Sequence, residues 1–173
     1  MSRLRVGVVF GGRSGEHEVS LRSAASVMAA LDRKKYQVVP IGIDRSGGWL
    51  ISGDPLKTLT DRAIGGTTGD NLAVAEGAAL LAMKGESPEV SSGGPLDVVF
   101  PVLHGPYGED GTIQGLFEMA RIPYVGSGVL GSAVCMDKAA MKALLTQAGL
   151  PIAPTRLVMR HEWLSDGAAV LRP

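Results

Sequence analysis

Residues 1–126 predict an open α/β domain built on a parallel sheet. Three observations carry that expectation: apolar, β-branched runs at Leu4–Phe10, Tyr36–Ile43 and Leu96–Leu103, a helical apolar stripe behind the first run, and glycine-rich turns directly after the first and third. Strands alternating with helices join in parallel through right-handed crossovers, which gives a Rossmann-like open sheet.

The first run, LRVGVVF, is apolar on both faces and ends at Gly11-Gly12, as a strand buried on both sides should. From Glu18 onward Leu21, Ala24, Val27, Met28 and Leu31 recur at helical spacing, with Arg22, Ser23, Ser26 and Ala30 on or beside the other face. Tyr36–Ile43 supplies a second strand, and Trp49 to Ile51 a short excursion after Gly47-Gly48. The stretch from Pro55 to Pro95 is rich in glycine and serine and reads as a variable surface insertion, with one apolar island at Ala73 to Met83. Leu96–Leu103 is the third main strand, Thr112 to Ala120 a short helix, and Tyr124-Val125 a last short strand.

Gly126 to Gly131 reads as a hinge, so the domain boundary is expected at residues 126 and 127. Asp137 to Ala148 should form a helix closed by Gly149 and Pro151. Ala153 to Met159 is expected as a strand and Glu162 to Leu171 as a weak helix. Residues 127–173 are few for a core of their own.

Composition narrows the function. The 173 residues are 45% hydrophobic and hold 17 Lys plus Arg against 17 Asp plus Glu, so the chain has a core to bury and no net charge to attract nucleic acid or an anionic membrane. The single Cys135 allows no internal disulfide, and the apolar start is too short for a secretion signal, which predicts a cytoplasmic protein. A small ligand or a second copy is the expected partner.

In open α/β sheets ligands bind beyond the carboxyl ends of the strands. Two glycine-rich turns occupy that edge, FGGRSGEHEVSL at 10–21 and HGPYGEDGTIQG at 104–115. The first is not a dinucleotide fingerprint, because Phe10 stands where the pattern needs its first glycine, and no Gly-Lys-Ser/Thr makes it a P-loop. Glu16 and Glu18 would repel an anion at the helix start. Glu16 has two readings, as a complement to the helix dipole or as the partner of a substrate ammonium group. Glu18 fits the dipole role. His104 ends a strand at the ligand edge, beside Gly105, where an imidazole could meet a carboxylate or phosphate or serve the structure alone. Glu109 and Asp110 read as turn and cap residues.

The string HGPYGEDGTIQG matches the signature H-G-x-x-G-E-D-G-x-I-Q-G position by position, and in this the sequence resembles the D-alanine:D-alanine ligase family. GGRSGEHEVSLRSA is similar to that family's first strand-to-helix turn, and residues 123–142, PYVGSGVLGSAVCMDKAAMK, to its crossing into the central domain. The resemblance implies an ATP-grasp enzyme that ligates two D-alanines through an acyl phosphate, for peptidoglycan precursors. It implies Mg2+, with Mn2+ as an alternative, as cofactor beside ATP, and a homodimer. Carried over by residue, Glu16 orients the first D-alanine's ammonium as the catalytic glutamate. Val19 lines the same pocket, His104 lies near the substrate carboxylate, Gly105 beside it is counted with the substrate-binding residues or serves the turn alone, and Lys138 contacts ATP phosphate. The chain itself offers no metal ligand by this correspondence. The start of an ATP-grasp central domain is expected at 127–173, incomplete, with the remaining ATP and metal ligands on roughly one to two further domains. Two alternatives share these motifs: a D-alanine:D-lactate or D-alanine:D-serine ligase, and a non-catalytic binding or dimerisation fragment.

Overall fold

The computed structural model describes residues 3–51, 53–65 and 95–170. The chain divides into two compact units, Met1–Ala133 and Val134–Pro173. In the first unit β1 (Leu4–Gly11) is followed by α1 (His17–Ala30), β2 (Tyr36–Ile43), β3 (Trp49–Leu50), α2 (Pro55–Gly65), β4 (Val98–Pro101) and α3 (Thr112–Ala120). Helix α4 (Val129–Met136) straddles the division, and α5 (Lys138–Gln147) and α6 (Arg160–Val170) belong to the second unit.

The sheet runs β3-β2-β1-β4. β1 pairs in parallel with β2, Leu4 opposite Tyr36 through Gly11 opposite Ile43, and with β4, Val6 opposite Val98 through Val9 opposite Pro101. The mostly parallel α/β expectation holds. The excursion at Trp49 returns as a short antiparallel edge, Ile43 facing Trp49. Tyr124 makes a single parallel bridge to Val99 where the last short strand was expected.

Side chains alternate across β1 and so feed two cores. Val6, Val8 and Phe10 pack with Leu21, Ala24 and Met28 of α1 and Leu59 of α2. Val9 faces the other way, into Ile41, Trp49 and Val99 and against Ile113 and Phe117 of α3. Helices therefore cover both faces of β1, which is why its sequence is apolar without interruption. The chain passes from β1 through α1 to β2 on one side and, after β3 and α2, returns to place β4 on the other side of β1. That reversal opens a crevice at the carboxyl ends of β1 and β4.

Several boundaries differ from the sequence expectation. β4 begins at Val98 rather than Leu96, because the Asp97 side chain accepts the Arg5 amide at 2.6 Å and takes the place of a strand carbonyl. Residues 55–65 are helical, and the apolar island at 73–83 lies outside the described residues. Part of the expected hinge, from Val129, is the first turn of α4. Ala153–Met159 is not a strand: the segment has no ladder partner among the described residues, and Pro154 has no amide to donate. α6 starts at Arg160, two residues early, and is broken at Asp166, whose φ of −154° leaves the helical region. No helix among the described residues is long and apolar enough to cross a membrane.

Candidate functional site

The first turn leaves β1 through Gly11, where φ is 92° and a β-carbon would lie 2.2 Å from the Ile43 carbonyl oxygen, so only glycine passes so close to β2. Helix α1 then starts at His17 with Glu16 in the N-cap position. The Glu16 carboxylate makes no capping hydrogen bond, and its side chain is exposed. An acid that does not cap has its oxygens turned away from the helix amides. His17 is buried and its Nδ1 lies 2.8 Å from the Gly12 carbonyl oxygen, which pins the turn from below. Ser20, fully buried, accepts the Gly11 amide at 2.7 Å and donates to the Val102 carbonyl, joining α1 to the ends of β1 and β4 at once.

The second turn begins at His104, 30% exposed at its side chain. Gly105 has φ of 70°, and a β-carbon there would meet Glu16 Oε1 at 3.2 Å and Ser14 Cβ at 3.3 Å. Its amide donates to Glu109 Oε2 at 3.0 Å. Tyr107 is held at φ of 68°, in the left-handed region that non-glycine residues rarely occupy. Its amide donates to Asp110 Oδ2, and the Arg13 guanidinium stacks over its ring with the carbon 5.1 Å from the centroid. Gly111 is the N-cap of α3, so Asp110 sits one residue ahead of the expected cap position, though its Oδ1 still accepts the Thr112 amide at 3.0 Å. Burial pushes the Asp110 carboxyl up, but the hydrogen bonds from Tyr107 and Thr112 outweigh it and hold the group below its ordinary value.

One buried hydroxyl ties the two turns together. Ser14 donates to the His104 carbonyl at 2.6 Å and accepts the Glu16 amide at 3.2 Å. Glu16, His104 and Gly105 are thereby assembled at the crevice between β1 and β4. Val19 lies three residues beyond Glu16, on the same side of α1, and is 40% exposed. His104 Nε2 reaches Ser23 Oγ at 3.1 Å, and its Nδ1 lies 3.7 Å from Glu109 Oε1. Sequence reasoning missed Ser14, His17 and Ser20, whose roles depend on partners up to 90 residues away. Glu18 pairs with Arg45, a side-chain contact that lowers its carboxyl below the ordinary range.

A cavity of about 540 Å3 opens on the α3 side of the same turn, between Trp49, Tyr107, Leu116 and Met119. It shares His104 with the polar cluster but reaches neither Glu16 nor Val19. Its walls are mostly apolar, with Arg13, His104 and Thr112 among them, whereas the carboxylates meet in the neighbouring cluster, which is the candidate site. Lys138 belongs to the second unit and is exposed. It stands in the first turn of α5, where a cation opposes the helix dipole, and donates to the Cys135 carbonyl at 2.6 Å. Asp137 caps that helix by accepting the Ala139 and Ala140 amides. No group of three His, Cys, Asp or Glu side chains among the described residues fits a metal ion.

Comparison with known proteins follows the same residues. The family described as D-ala D-ala ligase N-terminus matches residues 5–127. The chain is 48% identical to the D-alanine–D-alanine ligase of Streptomyces griseus, over 95% of its own length and 45% of the relative's. To the enzyme of the same name from Heliobacterium modesticaldum it is 48% identical, over 99% of this chain and 46% of that one. Among solved structures, the VanG D-Ala:D-Ser ligase of Enterococcus faecalis matches with a TM-score of 0.74 at 34% identity, covering 98% of this chain and 49% of the other. The D-alanine-D-alanine ligase of Coxiella burnetii matches with a TM-score of 0.68 at 33% identity, over 97% and 50%. The chain thus spans about half the length of the relatives it matches.

Proposed function

The chain belongs to the D-alanine–D-alanine ligase family through its amino-terminal domain, and from that membership we propose that it carries the first-substrate half of an ATP-dependent ligase forming D-alanyl-D-alanine. The observation that carries this reading is the Ser14 tie, which brings the Glu16 carboxylate against the backbone of the His104 turn. Two carboxylates, Glu16 and Glu109, flank that turn, so an ammonium group is the complementary guest. Glu16 binds and orients the ammonium of the first D-alanine, and the exposed face of Val19 meets its methyl group. His104 lies beside the substrate carboxylate, whose oxygen attacks the γ-phosphoryl group of ATP. The Gly105 amide is occupied by Glu109, so what Gly105 contributes is room: a β-carbon there would displace the Glu16 oxygen.

Lys138 contributes one charge toward ATP phosphate in this reading. A phosphoryl-transfer site needs several preorganised donors, so Lys138 alone does not make a nucleotide site. The described residues do not compose a metal site, and the Mg2+ or Mn2+ that the family resemblance implies with ATP would supply charge neutralisation at the phosphates. A cytoplasmic homodimer serving peptidoglycan synthesis completes the proposal. D-serine as second substrate is the alternative that the VanG likeness favours, while the higher identities favour D-alanine.

Titration of the 15N-labelled chain with D-alanine tests the reading. Amide shifts should concentrate at residues 14–19 and 104–105 and vanish with N-acetyl-D-alanine, which lacks the ammonium, or in Glu16→Gln. Equal responses to both ligands would remove Glu16 from the site. Removing one charged partner of such a pair should cost about 2–5 kcal/mol.

A further inference from the structure

His104 is held at both ring nitrogens, and the two partners differ in kind. On one side Glu109 reaches over the turn: its Oε2 accepts the Gly105 amide at 3.0 Å and its Oε1 lies 3.7 Å from Nδ1. On the other, Nε2 is 3.1 Å from Ser23 Oγ. Ser23 is on α1, one turn beyond Val19, so Nε2 is the nitrogen turned toward the helix that carries Glu16 and Val19.

A carboxylate only accepts hydrogen bonds, whereas a hydroxyl donates or accepts. A neutral imidazole between them resolves one way: the proton sits on Nδ1, facing the negative oxygen, and Nε2 accepts from the Ser23 hydroxyl. The separation of 3.7 Å is beyond hydrogen-bond reach, so the preference acts through charge. Glu109 is fixed to do this by its second oxygen, which the Gly105 amide anchors four residues back. Among the described residues it is the one carboxylate within ion-pair distance of His104. Glu16, the other acid beside the turn, lies against Gly105 rather than against the ring.

We infer that Glu109 is a positioning residue that sets the tautomer of His104, keeping the proton on Nδ1 and leaving Nε2 an unprotonated acceptor that faces α1. A proton delivered to the ring then enters at Nε2, the nitrogen on the side of Glu16 and Val19. As a part of ligand binding the inference rests on the function proposed above, in which His104 meets the substrate carboxylate.

The experiment is a long-range 1H–15N correlation on the labelled 173-residue chain at a pH where the ring is neutral, which reads the tautomer directly. Its three histidines, His17, His104 and His161, are distinguished with a His104→Gln sample. The parent should show the Nδ1–H pattern for His104. In Glu109→Gln the amide oxygen still takes the Gly105 amide, so the turn is kept, but an NH2 group now faces Nδ1. The Nδ1–H signature should be lost and replaced by Nε2–H donating to Ser23. Ser23→Ala, which leaves Glu109 in place, should retain Nδ1–H. An Nε2–H pattern in the parent, or an unchanged tautomer in Glu109→Gln, overturns the inference with no bearing on the proposed ligase. If the tautomer inverts yet D-alanine perturbs Glu109→Gln as it does the parent, His104 is not the carboxylate contact, and the positioning role falls with that part of the proposal.

Discussion

The two units of the chain make the same kinds of helix for different reasons. Every residue buried among those described belongs to the first unit, and the buried apolar side chains form two cores on either face of β1. The second has helices but, among its described residues, no buried one. Its α5 is held by end signals: Asp137 accepts two amides at the start, and at the end Gly149 at φ of 72° lets Leu150 N–H reach the Leu145 carbonyl and Gly149 N–H the Thr146 carbonyl. Tertiary burial fixes the first unit and local capping the second. Helical structure is therefore no measure of how firmly a segment is held.

The contrast is sharpest under core truncation. Phe117→Ala, at a fully buried ring, should destabilise the first unit by about 3–5 kcal/mol, whereas Leu164→Ala, at a 71% exposed residue, should change the unfolding free energy read from urea titration by less than about 0.5 kcal/mol. Equal losses would mean the second unit has a core of its own. Gly105→Ala probes strain that the first unit sustains. It should cost about 1–3 kcal/mol and weaken the D-alanine response, because the φ of 70° disfavours alanine and its β-carbon crowds the Glu16 carboxylate. Retained binding would show that the turn relaxes freely. In the second unit Asp137→Ala should cost about 1 kcal/mol, read as faster amide exchange confined to α5 rather than a lower melting temperature.

The smallest effect lies on the surface of the first unit. Glu18 has its carboxyl lowered chiefly by the Arg45 side chain. Protonation is then resisted more in the folded than in the unfolded chain. The pair's contribution is complete above the unfolded value near 4.5 and is lost as pH falls through the lower folded value. Both partners are largely exposed, so about 0.2–1 kcal/mol is expected. Denaturation midpoints of Glu18→Gln and parent should converge in acid and differ slightly at neutral pH. A larger gap in acid would reverse the sign.

Elements with a periodic pattern or an end signal were legible in the sequence. β1 and β2 carry β-branched runs, α1 and α3 an apolar stripe, and α5 its Asp137 and Gly149. Ala153–Met159 misled because its apolar residues satisfy a strand pattern, while a strand also needs a neighbour that no local pattern reports. The end of the hinge was read from glycine content, which α4 tolerates at Gly131. At the site, Glu16 and His104 stood out because chemistry at a strand end is unusual. Ser14 and Ser20 did not, since a serine becomes a tie only when a distant carbonyl arrives to receive it.

Ser20 has a consequence for chain length. Its hydroxyl and the β1–β4 ladder close a loop of 82 residues from Ser20 to Val102. The entropy of closing such a loop grows only logarithmically, by about 0.6 kcal/mol for each doubling. Residues can be added to or removed from the connector between α2 and β4 with little effect on the entropy of the closure that aligns the two turns. The spacing between the glycine motifs along the chain is thus a poor ruler for the distance between them in space, and a search that fixes that spacing would pass over proteins whose crevice is the same.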